Sequence, residues 1–326
     1  MNMMKTLINQ TTDAFDLGRF MGSADFDDHI QGFDGLELMY LGEDTQGIIS
    51  PQHVVGIHIN NFHCWFDMWN GDERALLNEF GTLETIEQYY GGTGRDVIID
   101  RVRRDLDVAL RYGAEYVVLH ISDSTIGESI TRQFLHTDEQ IIRASIELIN
   151  TVFDDKPPVK LLFENLWHPG LTFLDPKMTK LLFDGIEHKE TGIMLDTGHL
   201  MLMNPSLRTE EEAVKYIDSL LDLHGPLCEK IMGIHLNKSL TGEVAKRYME
   251  QPPEMPGSYL ERVNILYEYI FKVETHLPFT GDGICGLIER IGPEYLVYEF
   301  MSNDIEEHKK YLLEQKKCLS KPELVQ

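Results

Sequence analysis

The sequence predicts an α/β chain closed into a (β/α)8 barrel, a single domain over residues 1–326 with long insertions after the third and seventh strands. Three observations lead there. Short apolar segments alternate with amphipathic ones along nearly the whole chain, and strands separated by helical crossovers pair in parallel. Eight such strands can be counted, the number that closes this barrel. No Gly-x-Gly-x-x-Gly follows the first strand, so the open, doubly wound alternative lacks its usual phosphate-binding turn.

The elements follow in order. Thr6–Asn9 is a short first strand, and Gly35–Met39 is the second, introduced by Gly32, Phe33 and Asp34. Val54–Ile59 is the third, and only a short polar linker separates it from the second. Residues 60–94 form the first insertion, rich in aromatics (Phe62, Trp65, Phe66, Trp69, Phe80, Tyr89, Tyr90) and ending in a glycine-rich run. A segment this long reads as a lid over the mouth or as a packed helical insertion. Val97–Tyr112 carries its apolar residues at helical spacing and is closed by Gly113. Strand Tyr116–His120 follows, then a helix over Asp138–Phe153 started by Thr137. Pro157 and Pro158 reset the chain for strand Val159–Phe163, with Glu164 directly after it. Asp175 caps a helix over Pro176–Phe183, with proline at the first helical position. Strand Ile193–Leu195, helix Glu210–Leu223 and strand Ile231–Ile234 come next. Residues 237–283 are the second insertion, with a helix near Tyr259–Phe271. A short helix over Ile284–Ile291, strand Tyr295–Tyr298 and a closing helix over Asp304–Leu319 complete the pattern.

Composition narrows the partners. The chain is 42% hydrophobic and 25% charged, ordinary for a soluble globular protein. Its formal charge of −25 opposes nucleic-acid binding, which depends on Lys and Arg neutralising phosphates. Arg101, Arg103 and Arg104 form the densest basic cluster, but they lie beside Asp100, Asp105 and Asp107. The expected partner is a small-molecule substrate, with self-association into a homo-oligomer left open. Cys64, Cys228, Cys285 and Cys318 are scattered without a Cys-x-x-Cys pair, which points to a reducing compartment. The first residues are neither a signal peptide nor a membrane span, and a cytoplasmic location is expected.

Chemistry gathers at the strand ends. His58 lies near the end of the third strand, His120 ends the fourth and Glu164 the fifth; Asp196, His235 and Glu299 end the sixth, seventh and eighth. In a parallel barrel that end faces the active-site mouth. Any one of these could be an ordinary buried polar group with a partner; Asp196, for instance, could cap the next helix while His199 bonds backbone. Six together are harder to explain that way. Several carboxylates in one mouth would force protons onto some of them unless a cation is present. A mixed imidazole and carboxylate set suits Zn, Mn, Co or Fe(II) better than calcium. Three groupings are available: Glu164, Asp196, His235 and Glu299 for one ion; His58 and His120 sharing Glu164 for a second; and His199 with Glu274 and His276 for a third.

These motifs make the chain resemble the xylose isomerase-like TIM-barrel superfamily, which holds sugar and sugar-phosphate isomerases and epimerases alongside endonuclease IV. The resembling segments are Leu195 to His199 on the sixth strand, Phe163 to Asn165 on the fifth and His235 to Asn237 on the seventh. Tyr298 to Phe300 and Gly35 to Glu37 complete the set. The resemblance implies one divalent ion at Glu164, Asp196, His235 and Glu299, as in the epimerases. It also implies up to three ions, since His58, His120, His199, Glu274 and His276 match the further zinc ligands of endonuclease IV-like proteins. Glu274 stands where that pattern has Asp, and no basic intercalating loops are present.

Two mechanisms compete. In an isomerase or epimerase, the ion would chelate a carbonyl and its neighbouring hydroxyl while Glu164 and Glu299 move the proton through an enediolate. His199 would steady a substrate oxygen, Trp65, Phe66 and Trp69 would stack on the sugar, and Lys238 would contact a phosphate or hydroxyl, its alternative being an ordinary solvated lysine. In a zinc-cluster phosphoesterase, Glu164 would bridge two ions and could not serve as a free base. A non-catalytic metal-binding barrel is a third reading.

Overall fold

A computed structural model describes residues 3–60, 62–155 and 157–320. Eight parallel strands close into a barrel in sequence order. They are β1 (Lys5–Thr11), β2 (Gly35–Met39), β3 (Val54–His58), β4 (Tyr116–His120), β5 (Lys160–Glu164), β6 (Thr191–Asp196), β7 (Ile231–Leu236) and β8 (Tyr295–Tyr298). Closure is made by β1 against β8, with Lys5 opposite Tyr295 and Ile8 opposite Tyr298.

The alternation of side chains along each strand explains how one end becomes polar. Leu7, Val118, Leu162, Met194 and Val297 pack with Tyr116 and Tyr295 into a buried cluster inside the barrel. Two residues further along the same strands, hence on the same face, come Asn9, His120, Glu164, Asp196 and Glu299. The out-of-phase residues, among them Ile8, Val117, Leu161, Phe163, Ile193 and Ile234, pack in the layer between strands and helices. One inward position must be glycine: a Cβ on Gly56 would lie 2.2 Å from the Tyr116 ring, so only the bare backbone lets that ring cross the interior.

The first insertion is three short helices, Trp65–Asn70, Glu73–Phe80 and Leu83–Tyr90. Asp72 and Thr82 cap the second and third through their side chains, and Gly71, Gly81 and Gly91 close all three at positive φ. The polar and glycine positions that looked like loop signals are therefore helix stops and starts. Its aromatic residues Trp65, Phe66, Trp69, Phe80 and Tyr90 are buried in the main core. The second insertion holds two helices rather than one, Gly242–Glu250 and Tyr259–Val273. Ala245, Leu266, Tyr269 and Val273 bury with Ile126, Ile130 and Trp167 in a cluster of their own. No helix among the described residues is long and apolar enough to cross a membrane.

Candidate metal centre

Glu164 is the middle of the mouth. Its Oε2 lies 2.9 Å from His58 Nε2 and 3.1 Å from His120 Nε2. Its Oε1 lies 3.2 Å from His199 Nδ1 and 3.3 Å from His235 Nδ1. Around His235 Nδ1 stand two more acids, Glu299 Oε1 at 3.6 Å and Asp196 Oδ2 at 3.9 Å. On the far side of the mouth, Glu274 Oε1 is 3.8 Å from His199 Nε2 and Glu274 Oε2 is 4.0 Å from His276 Nε2. His276 Nδ1 is in turn 3.6 Å from Glu299 Oε2.

Four sets of donor atoms lie close enough to share an ion: Glu164, Asp196 and His235; His58, His120 and Glu164; His199, Glu274 and His276; and Glu37, His58 and His235. The first three coincide with the groupings expected from the sequence, save that Glu299 is not in the first set. The donor atoms test whether a cation fits. Glu164 Oε1, His235 Nδ1 and both ring nitrogens of His276 are buried without a hydrogen-bond partner, although oxygens and nitrogens stand within ion-pair distance. Lone pairs aimed at a shared point rather than at each other behave in this way, and a buried polar atom without a partner is costly. The set of imidazoles and carboxylates fits a transition-metal dication.

Electrostatics points the same way. Burial pushes the Glu164 carboxyl up, but the imidazoles of His235 and His120 outweigh it and hold the group well below the usual carboxylate range. Glu299 goes the other way: burial, with the charges of Asp196 and Glu164 added, drives it well above that range against the pull of His235. Burial would keep His199 and His235 neutral, yet the acids around them raise both well above an ordinary histidine. The cluster thus collects positive charge, as protons or as a cation.

Asp196 does two things at once. Its Oδ1 accepts from the His199 backbone N–H at 2.5 Å and caps the helix Thr197–Met203, while Oδ2 turns to the mouth and accepts from Asn237 Nδ2 at 2.7 Å. His199 likewise faces backbone on one side, with Nδ1 3.0 Å from the Asn165 carbonyl, and the mouth on the other. Helix capping and a place in the mouth are therefore compatible here. Gly198 permits the turn: a Cβ there would lie 1.8 Å from Asn237 Oδ1.

The aromatic and lysine side chains expected at the substrate are held by neighbours of their own. Trp69 is buried, with its indole N–H donating to Glu147 at 3.3 Å and the Arg95 guanidinium 4.5 Å above its ring. Trp65 donates to the Ser122 carbonyl at 2.9 Å and borders a cavity of about 20 Å3 that His120 also lines. Phe66 packs against the His136 ring at 4.5 Å. Lys238 is held by Glu210, which also accepts from the Thr280 and Gly281 backbones. Asp123 anchors the aromatic helix, accepting from Trp65 N at 2.9 Å.

The sequence places Glu37 on a strand and within the resembling segments, without a role. It accepts from Tyr116 Oη at 2.8 Å and lies 2.8 Å from His235 Nε2. A carboxylate on the outer nitrogen of a ligating histidine fixes its tautomer and orientation. The available signal was a lone acid inside the apolar segment Gly35–Met39. Asn165 and Asn237 were quoted as motif members without a role. They tie the ends of β5 to β8 together: Asp196 N donates to Asn165 Oδ1 at 2.9 Å, and Asn237 Nδ2 donates to Asp196 at 2.7 Å and to Glu299 at 3.0 Å.

Fold and site together define a (β/α)8 barrel with an imidazole and carboxylate centre at the C-terminal mouth. The profile of the xylose isomerase-like TIM barrel family matches residues 32–287, and the chain belongs to that family. Among solved structures it is similar to the IolI protein with a bound zinc atom, at 15% identity and a TM-score of 0.52 over 97% of this chain and 98% of that one. It is also similar to a D-tagatose 3-epimerase-like protein, at 13% identity and a TM-score of 0.51 over the same shares, 97% and 98%. At such identities the likeness is one of fold. No curated protein matches the chain in sequence.

Proposed function

We propose that this chain is a divalent-metal-dependent isomerase or epimerase of a small sugar, sugar phosphate or polyol derivative. The observation that carries this reading is the convergence on His235 Nδ1 of Glu164, Glu299 and Asp196 at 3.3, 3.6 and 3.9 Å. It joins a cation-binding set to two glutamates delivered from different strands. The similar structures support it at the level of fold, one being called a D-tagatose 3-epimerase-like protein and the other holding zinc.

A Zn, Mn or Co ion held by Glu164, Asp196, His235 and Glu299 would supply Lewis acidity to a substrate carbonyl and make the adjacent carbon more acidic. Glu164, kept ionised by its imidazoles, takes the proton from that carbon. Glu299, on the other side of the substrate, returns one from its own side, giving epimerisation when the faces differ. His199, fixed at Nδ1 by the Asn165 carbonyl, presents Nε2 to a substrate oxygen. The buried walls keep water away from the enediolate.

One observation favours a second reading, a zinc-cluster phosphoesterase. Glu164 turns Oε2 to His58 and His120 and Oε1 to His199 and His235, the posture of a carboxylate that bridges two ions. Metal analysis of protein purified without chelator, with turnover of a panel of ketoses, aldoses and phosphate esters, separates the two. About one ion per chain with sugar interconversion supports the isomerase. Two or three ions with ester hydrolysis and no interconversion overturn it.

A further inference from the structure

Beside the mouth, on the segment after β4, the side chain of Arg132 is arranged in a way that the metal chemistry does not use. The residue follows the helix Ile126–Thr131 in a left-handed conformation, φ 55°, which a non-glycine residue adopts at some cost. Its Nη1 donates to the Leu202 carbonyl at 2.5 Å, and its guanidinium lies 4.9 Å over the Trp167 ring. Nε and Nη2 are buried and make no well-formed hydrogen bond, the Tyr269 hydroxyl being the polar group beside the guanidinium. Those two nitrogens share the side-on edge of the guanidinium, the fork that matches two oxygens of an oxyanion. In a chain with 54 acidic residues against 29 basic ones, a cation left with two open donors is unexpected, since removing it from water without a partner is unfavourable.

Other open polar atoms surround this fork. The His168 ring lies 3.8 Å from that of Trp167, and its Nε2 is buried without a partner. The Tyr269 hydroxyl, fully buried on the second insertion, leans on the Arg132 guanidinium without a well-formed hydrogen bond, and Nε2 of His63 has no partner. Burial and then the neighbouring charges of His63, Arg132, His199 and His120 push His168 well below an ordinary histidine, so these groups share one locality. It adjoins the metal centre through Trp167, whose Nε1 donates at 2.5 Å to Glu274, the neighbour of His199. Holding Arg132 in place needs only Nη1 and the ring face, which leaves the fork for a ligand.

We propose that Arg132, with His168 and Tyr269 beside it, binds the phosphate of a phosphorylated polyol or sugar whose reacting carbons lie at the metal centre. The assignment deepens the function proposed above and rests on it for the identity of the reacting end. A phosphate suits the site better than a carboxylate because a third oxygen, out of the plane of the two seated on the fork, can turn to His168 and Tyr269. A guanidinium seated over a tryptophan also keeps the fork in one orientation, so little freedom is lost on binding.

The test is equilibrium binding of inorganic phosphate, sulfate and acetate to the protein as purified, with metal content and circular dichroism recorded for each variant. Phosphate and sulfate are expected to bind saturably and acetate more weakly. In Arg132→Gln phosphate affinity should fall about tenfold or more, the scale of losing a charge-assisted pair of hydrogen bonds. Arg132→Lys should fall in between, because an ammonium keeps the charge without the fork. Wild-type phosphate affinity in Arg132→Gln at unchanged metal content overturns the proposal, and so does acetate binding more tightly than phosphate. Should Arg132→Gln fail to fold, His168→Gln is read instead: a several-fold loss supports the assignment and no loss overturns it. No turnover is needed, so absence of isomerase activity in the substrate panel, with this binding intact, sinks only the reaction and leaves the phosphate site standing.

Discussion

Between the helices Ser23–His29 and Ile305–Leu319, on the outside of the barrel, His29 Nε2 meets His308 Nδ1 at 3.0 Å. At the mouth, four imidazoles meet a single carboxylate. All but the half-buried His120 are buried, yet the two clusters differ in their electrostatics. Burial lowers His29 to about 4, helped by the Lys309 charge, and lowers His308 to about 3, helped by His29 and Arg19. Asp25 and Glu306 pull His29 back only in part. At the mouth the acids win at His199 and His235, which are driven upward, while burial still lowers His120 and His276. A buried histidine pair on its own settles as two neutral rings sharing a proton, which is a packing solution. Histidines set among Glu164, Asp196, Glu274 and Glu299 face an excess of acids, and an added positive charge relieves it. Acid content, not burial, separates the structural cluster from the candidate functional one.

The largest effect should come from removing the acid that divides the mouth. Glu164→Gln is expected to lower turnover by about 10²–10⁴ and to reduce bound metal while the circular dichroism spectrum stays native. Normal turnover in that variant would remove Glu164 from the chemistry and make the two histidine clusters alike. Next, stripping the metal with a chelator should lower Tm, by an amount corresponding to about 4 kcal/mol for an ion held at a thousand times its Kd, and readdition should restore it. If no ion is recovered and Tm is unmoved, the mouth is a packing cluster too. Glu37→Gln is a gentler probe, because Glu37 reaches the site through His235. Metal affinity should drop about 10–100-fold, as read by competition with a coloured chelator, and an unchanged affinity removes the positioning role.

The smallest effect sharpens the other side of the contrast. His29 and His308 hold folded values of about 4 and about 3, below the ordinary histidine value, so the unfolded chain binds more protons as pH falls. Their contribution is complete above about pH 6.5 and is lost on descending towards pH 4, by at most about 1.4 kcal/mol per pH unit for each group. Replacing both with Phe and Leu should flatten the decline of Tm between pH 6.5 and 5 relative to wild type. The mouth is unaltered in this comparison, so an equal slope would mean that the pair is not held neutral.

Much of this was legible because the barrel repeats one rule. Apolar runs such as Tyr116 to Leu119 and Ile193 to Leu195 read as strands, and a polar residue two places beyond an inward apolar one falls at the mouth. That is why His120, Glu164, Asp196 and Glu299 could be placed by eye. Glu37 could not be assigned a task, since pairing with His235 crosses 198 positions of sequence and no local pattern encodes it. The aromatic insertion was ambiguous for a different reason. Trp65 and Trp69 have both a stacking face and an N–H donor, and only the fold shows that Ser122 and Glu147 accept those protons. Arg132 carried no signal at all: its significance is the two donors left without a well-formed hydrogen bond, a property of the surroundings.

The contact from Tyr116 through Glu37 to His235 has a consequence for how this protein can change. A ring wedged beneath the mouth, admitted by Gly56, sets the tilt of an imidazole two side chains above it. Drift in the basement of the barrel is thereby coupled to the imidazole upstairs, so substitutions chosen to harden the protein against heat at Gly56 or Tyr116 should retilt His235 as well.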